Sequence, residues 1–151
     1  MIRLRSFEAG DLPALHQLDQ ACFARGIAYS KAELQYFLTH PSCSCWVAEQ
    51  PNNKLVGFVI IEQASLRGRP AGHIVTLDVD PAARRLGLGT LLMQTAEEQM
   101  KHEGAEWMTL EVAENNTAAR YFYRNLGFVT RGKIPRYYGG TIDAEVMEKA
   151  I

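Results

Sequence analysis

The stretch that most constrains this chain runs from Gly72 to Thr90 and reads GHIVTLDVDPAARRLGLGT. It predicts a β-strand that ends at Val79, a turn at Asp80-Pro81, and a loop that carries two arginines and two glycines. A helix is expected to begin near Leu88. A strand, a glycine-containing loop and a helix N-terminus in this order present free backbone N–H groups to an anion. The stretch therefore predicts a site for a phosphate-bearing cofactor.

Two arginines add fixed positive charge to these N–H groups. The loop is not a nucleotide P-loop, because the GxxxxGK[ST] spacing is absent, and GxGxxG is incomplete because Leu92 stands at its last position. On the loop alone, a helix entry with solvated arginines remains an alternative. The residues expected to line the anion site are Arg84, Arg85, Leu86, Gly87, Leu88, Gly89 and Thr90.

Length and composition fit one globular domain over residues 1–151, with 47% hydrophobic and 22% charged residues. A net charge of −1 argues against a broad nucleic-acid surface. No apolar run is long enough for a membrane span, and the N-terminal residues lack the apolar region of a signal peptide. Cys22, Cys43 and Cys45 show no pairing or metal-binding pattern, so we expect reduced thiols and a cytoplasmic protein with no metal.

Hydrophobic periodicity predicts seven strands and four helices in the order β-α-α-β-β-β-α-β-α-β-β, a single mixed α/β or α+β domain with a central sheet. Asp11 is expected to cap the first helix, Ser30 to Glu33 forms a capping box for the second, and Asn115 or Asn116 is expected to cap the fourth. The predicted strands, besides the one that ends at Val79, cover residues 2–7, 44–49, 55–63, 107–112, 128–134 and 143–149. Leu66 to Pro70 is expected to be a turn, and Gly72 a turn residue.

Three motifs carry a family resemblance. Arg84, Gly87 and Gly89 match the Arg/Gln-x-x-Gly-x-Gly/Ala core of the acyl-CoA-binding motif of the GNAT superfamily of N-acetyltransferases. LEVAENNTAARYFYRNLGF, from Leu110 to Phe128, resembles the second block of that superfamily. The segment from Arg136 to Met147 resembles the closing segment of the RimI-type branch, which acetylates protein N-termini.

The resemblance implies the GNAT-type acyl-CoA N-acyltransferase fold, in which a mixed central β-sheet is splayed between strands 4 and 5, carries a bulge in strand 4 and is flanked by four helices. It implies acetyl-CoA as co-substrate, whose pantetheine arm pairs with the backbone of Leu77, Asp78 and Val79. The loop from Arg84 to Thr90 would take the pyrophosphate. Further cofactor contacts are expected from one face of the following helix, at Asn116, Ala119 and Tyr123.

The same resemblance implies two acid–base residues. Glu111 lies where the RimI-type pattern has its proton acceptor, and Tyr123 where it has the proton donor for the CoA thiolate. The alternatives are a solvent-facing glutamate and a core tyrosine. Phe122 and Leu126 are expected to occupy the more buried face of the helix.

The acceptor side is predicted from scattered residues. Phe23 and Tyr29 are expected to belong to a substrate-side loop. Tyr137 and Tyr138 are expected to hold a peptide backbone, with packing residues of a hairpin loop as the alternative. His73 could relay a proton, line the groove or be structural, and in a regular strand it would share a side with Val79.

A weak base more easily provides a neutral α-amine than a neutral lysine amine, because their pKa values are about 8 and about 10.4. The leading prediction is therefore a protein or peptide N-terminus as acceptor, with no nucleic acid or membrane partner and a monomer or homodimer. The second hypothesis is an acetyltransferase that acts on lysine or a small-molecule amine. The third is a non-catalytic acyl-CoA-binding module. Ile27 to Ser30 and Gly139 to Ile142 depart from the RimI-type pattern, both on the substrate side.

Overall fold

A computed structural model describes the whole chain, residues 1–151. Its seven strands and four helices follow the predicted order. Two short 3-10 turns, Ala9–Asp11 and Pro81–Ala83, precede α1 and α3. The bounds are β1 Arg3–Ser6, α1 Leu12–Cys22, α2 Lys31–Thr39, β2 Cys43–Glu49, β3 Leu55–Leu66, β4 Arg69–Val79, α3 Leu88–His102, β5 Trp107–Ala113, α4 Thr117–Asn125, β6 Val129–Tyr138 and β7 Ile142–Ala150.

The strands form one mixed sheet in the order β1-β2-β3-β4-β5-β7-β6. Every neighbouring pair is antiparallel except β4 and β5, which are parallel. The last strand, β7, inserts between β5 and β6, so β5 is paired along its whole length on that side. The mixed central sheet and its four helices confirm the predicted fold class.

Apolar residues pack on both faces of the sheet. The larger core lies under α3 and α4, with Leu92, Met100 and Tyr123 as helix residues and Ile74 and Leu110 from the strands. The smaller core lies under α1 and α2 on the other face. Because both faces are covered, the central strands β3 and β4 have few fully exposed positions, and ligands have access mainly where strands separate.

Two helix starts show how local sequence sets the boundaries. Ser30 accepts a hydrogen bond from Glu33 N at 3.1 Å, and Glu33 Oε1 accepts from Ser30 N, so the predicted capping box is confirmed. Asp11 does not cap α1, because its carboxylate is bound by the Arg5 guanidinium at 2.9 Å and by Glu8 N at 2.8 Å. The ion pair lowers the pKa of Asp11.

The β3–β4 connection is shorter than predicted. Strand pairing continues to Leu66 and Arg69, so that only Arg67 and Gly68 form the turn, with φ of +50° and +77°. Two consecutive positive φ values match the two-residue hairpin turn that fits the twist of antiparallel strands. The turn sets the register of the whole hairpin.

Gly72 is not a turn residue as expected. It lies inside β4, paired with Gln63 on one side and Met108 on the other. A Cβ at this position would lie 2.5 Å from Met100 Cγ. Close approach of α3 to the sheet, and not backbone conformation, therefore requires glycine here.

None of the helices combines the length and the apolar character that crossing a membrane would require.

Candidate active site

A gap opens in the sheet between β4 and β5. The two strands pair only at Ala71–Trp107, Gly72–Met108 and His73–Thr109. Beyond these residues β4 continues to Val79 and β5 to Ala113 without pairing to each other. The predicted splay between strands 4 and 5 is confirmed, and it leaves backbone groups of both strands free to meet an extended ligand.

A bulge lies at the start of the gap. Ile60 pairs with Thr76 and Ile61 with Ile74, so Val75 is the extra residue of β4. The bulge changes which face each side chain occupies. Ile74 and Val79 both contact the larger core, and His73 therefore points to the opposite face. In a regular strand His73 and Val79 would share a side, and the bulge at Val75 places them on opposite faces.

Backbone hydrogen bonds identify the free groups of β4. Asp80 N donates to Val56 O at 2.8 Å, and the alternation of an antiparallel ladder then directs the backbone of Asp78 toward β3 and that of Leu77 and Val79 toward the gap. Val79 O accepts from Arg84 Nε at 3.1 Å. Leu77 therefore offers both its N–H and its C=O to a ligand, Val79 offers its N–H, and the Asp78 backbone is engaged by β3.

The loop after β4 leads into α3, whose N-terminus has no side-chain cap. Arg85 and Gly87 both have positive φ, +69° and +76°, and Gly87 stands at the N-cap of α3 with no side-chain capping bond. The first intrahelical bond runs from Leu91 N to Gly87 O at 3.0 Å. The N–H groups of residues 88–90 thus have no intrahelical acceptor, and with two arginines beside them they fit a pyrophosphate.

The start of α4 lies close to that loop. Asn116 caps α4 by accepting from Ala119 N at 3.1 Å, as its position predicted. A Cβ on Gly89 would lie 3.2 Å from the Phe122 ring. The second glycine of the motif is therefore explained by the close approach of α3 and α4, and the first by backbone conformation.

Tyr123 is the most buried residue of α4, with 9% of its surface exposed. Its ring lies edge-on to those of Phe122 and Phe128, at centroid distances of 5.2 and 5.9 Å. Burial, and secondarily the charge of Asp78, raises the pKa of its phenol well above the ordinary value. The sequence predicts Phe122 and Leu126 on the more buried face of the helix, but both are only half-buried and less buried than Tyr123. Tyr123 is a core residue that keeps its proton at neutral pH.

Glu111 faces His73 and Tyr137 and not solvent. Leu110 and Val112 pack in the larger core, so the Glu111 side chain points to the other face, where 18% of it is exposed. Its Oε1 lies 2.9 Å from His73 Nε2 and accepts a long hydrogen bond, 3.4 Å, from the Tyr137 hydroxyl. Glu111 of β5 and Tyr123 of α4 therefore lie on opposite faces of the sheet.

His73 is held between two carboxylates. Its Nδ1 lies 3.2 Å from Glu62 Oε1, while Nε2 faces Glu111. Burial lowers the pKa of His73, but the hydrogen bonds and charges of Glu111 and Glu62 outweigh burial and raise the pKa overall. Both ring nitrogens have an acceptor opposite them, so the imidazolium form satisfies all the contacts.

Glu62 is the residue of this cluster that sequence reasoning missed. It pairs directly with His73 across the β3–β4 hairpin. The register that brings them together is set by the Arg67–Gly68 turn. Recognition of two consecutive turn residues in the sequence could have placed Glu62 opposite His73.

Tyrosines gather on the acceptor side. The Tyr29 hydroxyl donates to Val75 O, the carbonyl of the bulge, at 3.3 Å. The Tyr137 and Tyr138 rings lie edge-on at 4.9 Å. Burial, and then the neighbouring Tyr137, Glu111, Tyr29 and Tyr123, raises the pKa of Tyr138. The structure therefore gathers Tyr29, Tyr137 and Tyr138 near Glu111.

The α1–α2 loop and the β6–β7 hairpin close over this side. A Cβ on Gly26 would lie 3.8 Å from Gly139 Cα, so the two backbones are nearly in contact. Phe23, the residue that ends α1, is half-buried at the base of that loop and makes no ring contact with the tyrosines. The α1–α2 loop and the β6–β7 hairpin therefore meet backbone to backbone at these two glycines.

Comparison with known proteins places the chain in a family. It is 36% identical over 125 residues to the N-terminal acetyltransferase A complex catalytic subunit ard1 of Schizosaccharomyces pombe, covering 78% of this chain and 70% of that protein. It is 31% identical over 147 residues to an uncharacterized N-acetyltransferase of Methanocaldococcus jannaschii, covering 97% and 90%.

A solved structure is similar over its whole length. The ribosomal-protein-S18-alanine N-acetyltransferase of Escherichia coli superposes with a TM-score of 0.86 and 27% identity, covering 100% of this chain and 94% of that chain. Residues 12–128 match the family described as Acetyltransferase (GNAT) family. With that match, the splayed sheet and the uncapped glycine loop, the chain belongs to the GNAT family of acetyl-CoA-dependent N-acetyltransferases.

Proposed function

We propose that this enzyme transfers the acetyl group of acetyl-CoA to the N-terminal α-amine of a protein or peptide. The observation that carries the proposal is the Glu111 carboxylate, which lies 2.9 Å from His73 Nε2 beside the gap between β4 and β5. A carboxylate there can take the proton that an amine loses as it attacks a carbonyl carbon. The names of the Schizosaccharomyces pombe and Escherichia coli relatives, an N-terminal and an alanine N-acetyltransferase, support this acceptor class.

Acetyl-CoA would enter the gap from the α3 side. The free backbone groups of Leu77 and Val79 would pair with its pantetheine amides, and the N–H groups at the start of α3 would bind its pyrophosphate. Asp78 would contribute less than predicted, because its backbone bonds to β3. The remaining proposed contacts are Arg84, Arg85, Leu86, Gly87, Leu88, Gly89, Thr90, Asn116, Ala119 and Tyr123.

The reaction needs one proton acceptor and one proton donor. The neutral amine attacks the thioester carbonyl carbon, a C–N bond forms and the C–S bond breaks. Glu111 accepts the proton that leaves the nitrogen, directly or through water, and the Tyr123 hydroxyl gives its proton to the departing sulfur. The raised pKa of Tyr123 keeps that phenol protonated until the thiolate forms. The products are the N-acetylated amine and free CoA, and solvent restores both protonation states.

Residues around Glu111 would fix its geometry and bind the acceptor. The His73 imidazolium donates to Glu111 and thereby orients the carboxylate toward the gap. Tyr29, Tyr137 and Tyr138 offer hydroxyls and ring faces to the first residues of a peptide, and Phe23 adds an apolar surface at the loop. The near-contact of Gly26 and Gly139 favours entry of a chain end.

Three acceptors of matched sequence test the proposal. The first is a lysine-free peptide with a free N-terminus, the second the same peptide blocked at its N-terminus and carrying one lysine, and the third a polyamine. Acetyl-CoA consumption is measured for each. We expect the free N-terminus to give the highest kcat/KM. A higher value for the blocked lysine peptide would refute the proposal.

A small polyamine is the second candidate, and one observation favours it. Glu62 and Glu111 put two carboxylates on the two sides of His73, and both are partly exposed, 33% and 18%. Paired carboxylates attract an acceptor that carries two positive charges. The polyamine arm of the same experiment decides between the two.

A cytoplasmic location and a monomer or homodimer stay predictions.

A further inference from the structure

Two aspartates that the proposed reaction does not use as acid or base meet where α1 packs against β4. Asp19 of α1 and Asp78 of β4 are both fully buried, with 0% of their surface exposed. Two ionised carboxylates in one buried site would be unfavourable, because each loses its hydration and repels the other. The structure must therefore supply donors, or a proton, to this site.

The donors account for only half of the four oxygens. Asp19 Oδ2 accepts from Tyr29 N at 2.7 Å, and Asp78 Oδ1 accepts from Thr76 Oγ1 at 2.6 Å. The other two oxygens, Asp19 Oδ1 and Asp78 Oδ2, are buried without any N–H or O–H partner. The helix brings the two carboxyl groups together, because Cys22, one turn after Asp19, donates to Val79 O, the carbonyl next to Asp78, at 3.3 Å, and the interaction with Asp19 helps to raise the pKa of Asp78. One proton between these two oxygens would satisfy both.

The surrounding groups agree with a retained proton. Burial, and then the hydrogen bond and charge of Asp19, raises the pKa of Asp78 well above its usual range, while Thr76 and the cation Arg84 act in the opposite direction. The titratable groups that face the pair are Cys22 of α1, Tyr29, Cys45 of β2, Arg84 and Tyr123 of α4. Among them only Arg84 is positively charged, so no cation neutralises both carboxylates.

The pair joins the two sides of the cleft. Through Asp19 it holds the backbone of Tyr29, whose hydroxyl reaches the bulge at Val75. Through Asp78 it holds the arm of β4, residues 74–79, which pairs with β3 but not with β5. Cys22, one turn after Asp19, donates to Val79 O at 3.3 Å and fixes the end of the same arm.

We propose that Asp19 and Asp78 form a carboxyl pair that shares one proton and thereby positions the Tyr29 segment against the arm of β4. Loss of the proton leaves two facing carboxylates, and their repulsion separates the acceptor loop from the cofactor strand. Both are positioning residues. The kinetic consequence rests on the proposed function, whereas the shared proton does not.

Substitutions at Asp19 separate shape from charge. In Asp19→Asn the amide oxygen still accepts from Tyr29 N, and its NH2 donates permanently to Asp78 Oδ2. Asp19→Ala removes both contacts, and we expect the acceptor KM to rise roughly tenfold, the effect of losing a buried hydrogen bond. Asp19→Asn restores the KM. Asp11→Asn is the control, because it breaks a buried carboxylate pairing with Arg5 at the other end of α1.

The pH dependence of stability provides a test without substrate. A carboxyl group whose pKa is raised in the folded state keeps its proton where the unfolded chain has lost it, so stability falls as pH rises above about 4. Asp19→Asn should remove this fall in stability, because its amide donates to Asp78 Oδ2 at every pH. We therefore expect its melting temperature to exceed that of the wild type by a margin that grows with pH. Equal pH dependence in the two proteins would overturn the shared proton, even if Asp19→Ala failed to fold.

Infrared spectroscopy detects the proton directly. The wild type is expected to show a protonated carboxylic acid band at neutral pH that is absent in Asp19→Asn and retained in Asp11→Asn. Absence of the band in the wild type would overturn the pair. If the band is present but Asp19→Ala folds with an unchanged acceptor KM, the positioning role is overturned. If no acceptor is acetylated at all, the proposed function fails, while the infrared and stability results still decide the pair.

Discussion

On the proposed donor side of the cleft the binding groups are backbone atoms of one continuous stretch, residues 77–90, whereas on the proposed acceptor side they are side chains from separate segments. The donor side consists of Leu77, Val79 and the first turn of α3. The acceptor side is made by Tyr29, His73, Glu111, Tyr137 and Tyr138. Backbone geometry depends on local sequence such as a glycine at positive φ. Convergence of side chains depends on register, a bulge and strand order. The two sides should therefore respond differently to substitution.

The largest effect is expected on the acceptor side. Glu111→Gln removes the proposed base while keeping the size of the side chain, and kcat should fall by about 10²–10⁴-fold. Acetyl-CoA affinity, measured by calorimetry, should not change. Glu114→Gln is the matched control, since Glu114 follows the same strand and pairs with Lys133 on the surface. An equal loss of kcat in both variants would remove Glu111 as the base.

Tyr123→Phe tests the proposed proton donor. Without the phenol the sulfur must take its proton from water, and we expect kcat to fall by about 10²-fold with little change in acetyl-CoA affinity. Tyr121, two residues earlier on α4 and 67% exposed, gives the control Tyr121→Phe. Turnover that survives Tyr123→Phe would leave Tyr123 as a core residue only.

A glycine substitution tests whether the donor side acts through its backbone. Gly87 has φ of +76°, and nothing lies within 4 Å of its Cβ position, so Gly87→Val would act through backbone strain of about 1–3 kcal/mol. The acetyl-CoA Kd should rise roughly tenfold or more. Gly104→Val imposes the same kind of strain at the other end of α3, where φ is +94°, and should lower stability without changing the Kd. Unchanged affinity in Gly87→Val would contradict the loop assignment.

The smallest effect concerns the charge balance around His73. The pKa of His73 is raised in the folded state by Glu111 and Glu62. The stability that these two ion pairs contribute is therefore fully present below the unfolded pKa of about 6.5, and it is lost as pH rises through the folded pKa. Glu62→Gln removes one of the two carboxylates and should lower the His73 pKa, as followed by NMR titration of its ring protons. Glu97→Gln, which breaks a pair with Lys149, should leave that titration unchanged. If Glu62→Gln also leaves it unchanged, Glu62 does not act on His73.

Sequence reasoning was most successful where structure is local. The capping box at Ser30, the cap at Asn116 and the element order depend on residues within a few positions of one another, and all are confirmed. The family motifs added the splay and the bulge of strand 4, which periodicity alone does not encode. The roles of the predicted site residues in binding and catalysis stay predictions.

The errors share a physical origin in long-range packing. The face of His73 depends on one extra residue, Val75, and the need for Gly72 depends on the approach of Met100. Tyr123 is more buried than Phe122 because α4 packs its tyrosine against Phe128. Periodicity does not show Glu62 opposite His73, although the Arg67–Gly68 turn sets that register. The Asp19–Asp78 pair has no local sequence signal, because it joins two segments far apart in the chain.

The most direct test of the two-sided cleft is a crystal structure with a bisubstrate analogue in which CoA is joined to a peptide N-terminus. The account predicts the pyrophosphate on the N–H groups of residues 88–90, the pantetheine arm against Leu77 and Val79, and the linked nitrogen within hydrogen-bond reach of Glu111, directly or through one water. An analogue bound outside the β4–β5 gap, or a linked nitrogen remote from Glu111, would contradict it.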